Sequence, residues 1–129
     1  MDKKYIKMCD CKEVQGQWEP KAGDWFYSKT YGTLFVIDKE PKAFLEWQDG
    51  LHPKEQINWL PRQEDIQEMI PRRDDTTALE LHIVFDAFLN EIYPEHALKG
   101  MSMTQLWLMF YMYEVHDKVW TGEKWEKAK

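Results

Sequence analysis

Trp59-Leu60-Pro61-Arg62-Gln63-Glu64-Asp65-Ile66-Gln67-Glu68-Met69-Ile70 is the stretch that decides the fold, because its periodicity changes partway through. Up to Leu60 the residues suit a strand that begins at Ile57-Asn58. Pro61 has no amide proton to give a sheet ladder, so it ends that strand. Beyond it, Ile66, Met69 and Ile70 fall at helical spacing. Glu64 and Asp65 lie in the first turn, where the helix dipole favours negative charge, and Pro71 stops the run. Strand gives way to helix across one proline.

On the N-terminal side, Trp25-Phe26-Tyr27 and Thr33-Leu34-Phe35-Val36-Ile37 are rich in aromatic and β-branched residues. The spacer between them contains Gly32, which predicts a β-hairpin. Phe44-Leu45-Glu46-Trp47 reads as a third strand before the turn Gln48-Asp49-Gly50, and Ile57 to Leu60 as a fourth. Short strands joined by tight turns imply a small antiparallel sheet, SH3-like if it curls. Ahead of it, the cluster Tyr5, Ile6 and Met8 suggests a short helix or turn docked on the body.

On the C-terminal side, Arg72-Arg73-Asp74-Asp75 is a charged, solvated link. Thr77 and Glu80 then have capping-box spacing, in which hydroxyl and carboxylate each satisfy an orphan backbone donor. Leu81, Val84, Phe85, Phe88, Leu89 and Ile92 follow as one apolar stripe, ended by Pro94. Ser102 and Gln105 offer a second capping box. From Leu106 to Val115 only Glu114 is charged, so that helix should be buried on most sides. Val119 to Trp125 places two tryptophans around a tight turn, a terminal hairpin. The expected architecture is a single α+β domain over 1–129. It is sheet-rich over 18–60, helical over 62–117 and closed by a turn or hairpin over 118–126, with the sheet packed against about three helices.

The 129 residues suit one domain, and 43% apolar with 31% charged side chains is a globular composition. Seven Trp, six Phe and six Tyr make rings a large part of the core volume. A net charge of −6 disfavours general affinity for phosphate backbones, although Arg62, Arg72 and Arg73 form a local basic cluster. The start of the chain has no apolar signal-peptide core. The apolar run Leu106–Tyr113 is too short to cross a bilayer, so a cytoplasmic protein without a membrane partner is expected.

The motifs Trp59-Leu60-Pro61-Arg62-Gln63, Ile66-Gln67-Glu68-Met69, Gln105-Leu106-Trp107-Leu108 and Lys118-Val119-Trp120-Thr121-Gly122-Glu123-Lys124-Trp125 resemble a family of small proteins of bacteriophages and prophages of Gram-positive bacteria. Tyr5-Ile6-Lys7-Met8-Cys9 extends the resemblance, whereas residues 25–50 match it only loosely. The resemblance implies a phage origin and one compact domain, which makes the expected cytoplasmic location that of the host cell. It implies no activity and carries no functional residues.

Candidate chemistry is sparse. Cys9 and Cys11 are one residue apart, too close for the usual pair in a structural zinc site, and no second pair exists. His82 and Asp86 share a helix face, which is common for solvated pairs. His116 suits a helix C-terminus. No nucleophile elbow or phosphate loop is present, so no catalytic, cofactor or metal residues are assigned and a non-enzyme is expected. The aromatics around the sheet are the remaining candidates. Trp25, Tyr27, Tyr31 and Trp47, with Arg62, Arg72 and Arg73, form the candidate interaction surface. Its expected partner is another protein, of phage or host. A nucleic-acid module of phage replication or regulation is the alternative, and homo-oligomerisation stays open. Burial of both sheet faces by curling is the simpler outcome.

Overall fold

The computed structural model describes residues 2–38, 56–71 and 77–128. The chain divides at Pro61–Arg62 into two compact units.

The first unit begins with helices α1 (Lys3–Cys9) and α2 (Lys12–Gln15). The Asp2 carboxylate starts α1 by accepting from the amides of Lys4 (3.0 Å) and Tyr5 (3.1 Å). Strands β1 (Trp25–Ser28), β2 (Thr33–Val36) and β3 (Ile57–Trp59) then form an antiparallel sheet of order β2-β1-β3. The β1–β2 turn closes through Gly32, whose φ of 68° suits a residue without Cβ and whose amide donates to Ser28 O. Pro61 fits the end of β3, and its carbonyl accepts from the Tyr5 hydroxyl at 2.6 Å, tying α1 to the strand end.

Register sorts the sheet residues into two faces, since directly opposed residues point the same way. Phe26 lies opposite both Phe35 and Trp59, and Ser28 opposite Ile57. This face builds the core: Phe26, Ile37 and Ile57 are buried, with Trp18 and Phe35 packed against them. Trp18 stacks on Trp59 with ring centroids 6.1 Å apart. Its indole nitrogen donates to the buried Asp24 carboxylate at 3.0 Å, which also accepts from the Lys21 amide.

Among the described residues the outer edge of β3 has no neighbouring strand in this sheet, and Gln15 takes that place. The Trp59 amide donates to Gln15 Oε1 (2.8 Å), and Gln15 Nε2 donates to Trp59 O (3.0 Å). A side-chain amide carries one acceptor and donors in a peptide-like arrangement, so it can stand in for one residue of a strand. The same nitrogen donates to Cys9 O (2.9 Å), joining α1, α2 and the sheet edge. An edge closed in this way presents fewer free backbone groups for aggregation.

In the second unit, α3 (Gln63–Met69), α4 (Ala78–Glu91), the short α5 (Glu95–Leu98) and α6 (Met103–His116) precede a hairpin of β4 (Lys118–Trp120) and β5 (Trp125–Lys127). α6 is the centre: Gln105 and every residue from Trp107 to Met112 are buried, and α3 and α4 both pack on it. Its capping box is complete, with Gln105 N donating to Ser102 Oγ (3.1 Å) and Ser102 N to Gln105 Oε1 (2.8 Å). Phe85 stacks on Trp107 at 3.9 Å, Phe88 meets Phe110 at 5.3 Å and Tyr113 at 5.2 Å. The ring contacts therefore advance in the same sense along α4 and α6. Asp117 adopts the left-handed conformation (φ 55°) that turns the chain from α6 into β4. The Trp120 and Trp125 rings pair across the hairpin at 5.0 Å.

The α+β class is thus observed, with four differences in detail. The described strands form an open three-stranded ladder and a separate hairpin rather than an SH3-like barrel. The short helix expected around Tyr5, Ile6 and Met8 is α1, but a second helix, α2, follows it, and both meet β3. Val84 leaves the α4 stripe and stands 49% exposed, so the buried ridge narrows to Leu81, Phe85 and Phe88. At Thr77 the hydroxyl accepts from the Glu80 amide (3.1 Å) as expected, but the Glu80 carboxylate accepts from that hydroxyl rather than from the Thr77 backbone. The strand expected at 44–47 and the link at 72–75 lie outside the described residues.

Gln15→Ala leaves the Trp59 amide and carbonyl without their partner. It should lower unfolding free energy by about 1–3 kcal/mol in a urea titration, whereas an unchanged midpoint would show that Gln15 contributes nothing.

Candidate functional site

The second face of the sheet differs in chemistry from the core face. Trp25 lies opposite Val36, and Tyr27 lies opposite Leu34 on one side and Asn58 on the other. Asn58 is buried and Leu60, whose amide donates to Trp25 O, is half-buried. Toward β2 the face opens: Trp25 is 42% and Val36 40% exposed, with Tyr27 and Leu34 half-buried beside them. Alternation along β1 forces this arrangement, because Phe26 and Ser28 are drawn into the core and Trp25 and Tyr27 must point away. The result is two aromatic and two aliphatic side chains on one strand pair, with no lysine or arginine among them.

The expected surface residues are therefore divided. Trp25 and Tyr27 share this face. Tyr31 sits in the turn, 52% exposed, with its ring edge against Phe35 at 6.0 Å, which draws it toward the opposite face. Arg62 is exposed but belongs to the second unit, where its amide donates to Asp65 Oδ2 (2.9 Å) at the start of α3. Trp47, Arg72 and Arg73 lie outside the described residues. Leu34 and Val36 complete the patch and were not singled out from sequence. Their signal is the hairpin register, which pairs them with Tyr27 and Trp25.

Curling does not bury this face among the described residues. An exposed tryptophan flanked by apolar neighbours can contribute contact area to a partner at little ordering cost. It supplies no acid, base or nucleophile.

The titratable candidates resolve into structural roles. Cys9 is buried in α1, and burial pushes its thiol well above the ordinary range. Burial likewise pushes Cys11 up to about 11. Both thiols are protonated at neutral pH, which makes them poor nucleophiles and poor metal ligands without prior proton loss. Among the described residues no group of three or more His, Cys, Asp or Glu side chains could hold a metal ion. His82 lies on the exposed side of α4 with its ring 6.2 Å from Phe85, while Asp86 accepts from Asn90 Nδ2 (3.5 Å). His116 Nε2 and the buried Tyr111 hydroxyl are 2.9 Å apart, so this histidine closes the end of α6. The Tyr93 hydroxyl accepts from the Trp120 amide (2.8 Å), and burial raises its pKa. None of the described helices is long and apolar enough to cross a membrane.

Comparison with family models, curated proteins and solved structures finds no match to this chain.

The raised thiols make part of the stability depend on alkaline pH. Folding holds both protons more tightly than the unfolded chain does, so each contribution is whole below the unfolded value of 9.0 and is lost as pH rises above it, for Cys11 through about 11. Tyr93 adds to the loss above 10.0. The urea midpoint should stay level from about pH 7 to 8.5 and fall beyond pH ~9, less steeply in Cys11→Ala, and a level midpoint to pH ~11 would contradict the burial of these groups.

Proposed function

We propose that the protein is a non-enzymatic binding module whose partner is another protein, held on the outer face of β1 and β2. The observation that carries this reading is Trp25, 42% exposed beside an equally open Val36, with Tyr27 and Leu34 completing an apolar patch. Charge and chemistry favour protein over nucleic acid. Stacking surfaces for single strands combine rings with a cationic groove. Here half of the patch is aliphatic, no cation lies among its four residues, and the chain carries −6 overall. A hydrophobic interface needs no such cation.

The Trp59–Gln63 and Lys118–Trp125 motifs support assignment to the small phage and prophage proteins that they resemble. In that setting the module acts as an accessory factor in the host cytoplasm, engaging a phage or host protein.

Trp25→Ser combined with Val36→Ser should leave the circular dichroism spectrum close to wild type and lower Tm only modestly, because both side chains lie outside the buried core and are about two-fifths exposed. Affinity capture from host lysate should recover a specific protein with the wild-type chain, and the double variant should hold it at least tenfold more weakly. Equal recovery by both chains would overturn the proposal. So would a gel shift of oligonucleotides at low salt that the double variant abolishes.

A further inference from the structure

Helix α4 carries a second apolar row that stays exposed among the described residues. Leu81, Phe85 and Phe88 are buried. Leu79, Ile83 and Ala87 repeat every four residues on the far side of the helix, and all three are exposed, Leu79 by 68% and Ile83 by 58%. At 100° per residue the buried ridge centres about 180° from this row. Val84, 49% exposed, stands on the shoulder between the two.

Local structure gives no reason for that row. An exposed helix position is served best by Ala, Glu, Lys, Gln or Arg, and Ile83 and Val84 are β-branched residues that weaken an isolated helix. Two large aliphatic side chains in water, beside a third, fit a surface that is covered when the protein functions.

The flanks say what covers it. On the helical wheel Asp86 borders the row on one side, and Glu80 and Glu91 border it on the other. The helix has no lysine or arginine in its fourteen residues. A second copy of α4 laid on this face would bring carboxylates against carboxylates, which is repulsive at contact distances. A segment with aliphatic side chains on one face and lysines or arginines along its borders would match both the row and its flanks.

From this we infer that the outer face of α4 is a docking site for a cationic amphipathic helix of a partner protein, seated on Leu79, Ile83 and Ala87 and bordered by Glu80, Asp86 and Glu91. The site lies in the second unit and is independent of the sheet patch, so either can fail without the other.

The probe is a synthetic amphipathic peptide of about 18 residues, five turns, made of Leu and Lys, with a Leu/Glu peptide of the same pattern as its counterpart. The full chain should bind the Leu/Lys peptide and not the Leu/Glu peptide, as read by fluorescence anisotropy. Leu79→Ser with Ile83→Ser should weaken binding about tenfold or more with an unchanged circular dichroism spectrum. Asp86→Lys with Glu91→Lys should reverse the preference toward the Leu/Glu peptide, a gain that misfolding cannot imitate. Leu79→Ser with Ile83→Ser leaving affinity unchanged would overturn the inference, since binding would then be general attraction to an acidic protein. A dimer in sedimentation that the same substitutions dissolve would also overturn it, by assigning the face to a second copy of this chain.

Discussion

Pro61 imposes the constraint on which both halves of the chain depend. Its ring removes an amide proton and restricts the residue before it to extended backbone, so β3 cannot continue as a ladder beyond Leu60. Its carbonyl is then free to accept the Tyr5 hydroxyl at 2.6 Å, which anchors α1 at the place where the strand stops. On its other side Arg62 and Asp65 start α3. The boundary between the two compact units falls directly after it. One imino acid therefore converts a period of two into a period of 3.6 and separates a sheet-built core from a helix-built one.

Each core is then organised by a polar side chain used in place of backbone. Gln15 supplies the missing neighbour for β3 by bonding to both the amide and the carbonyl of Trp59. Gln105 does the equivalent at the head of α6, where it and Ser102 satisfy each other's backbone amides. Both residues position tryptophans. Trp59 can stack on Trp18 because its backbone is held from the side, and Trp107 can stack on Phe85 because α6 begins where its cap dictates. Further ring pairs extend both cores, Phe26 with Phe35 in the first and Phe88 with Tyr93 in the second. Among the described residues, Trp25 and Val36 on the sheet and the aliphatic row on α4 are grouped apolar side chains left exposed, whereas Tyr31, Met103 and Val115 stand exposed singly.

The elements with their own local signals were legible in the sequence. The hairpin at Gly32, the switch at Pro61, the cap at Ser102 and the almost uncharged run after it each follow from local chemistry and are observed. Gln15 was not legible, because its partner is 44 positions away and no periodicity links a helix-end glutamine to a strand edge. Val84 was misplaced for a related reason. A six-residue stripe fits the wheel, but the α6 rings meet Phe85 and Phe88, so Val84 on the edge of the stripe stays exposed while Leu89 and Ile92 are half-buried. The site was legible in part. Trp25 and Tyr27 could be named from composition, whereas Leu34 and Val36 enter only through register, which depends on the exact turn. Tyr31 sits close to them in sequence yet its ring meets Phe35, because a turn residue is not bound by strand alternation.

The sheet buries one face and leaves Trp25 and Val36 open on the other, the face proposed to hold a protein partner. Hydroxyl-radical footprinting of the full chain, read at Trp25, Trp59 and Trp107, tests it directly. Trp25 should be oxidised much faster than Trp59 and Trp107 in the free protein, in line with exposures of 42%, 5% and 2%, and partner binding should selectively protect Trp25. Protection of Trp25 equal to that of Trp107 in the free chain would contradict it.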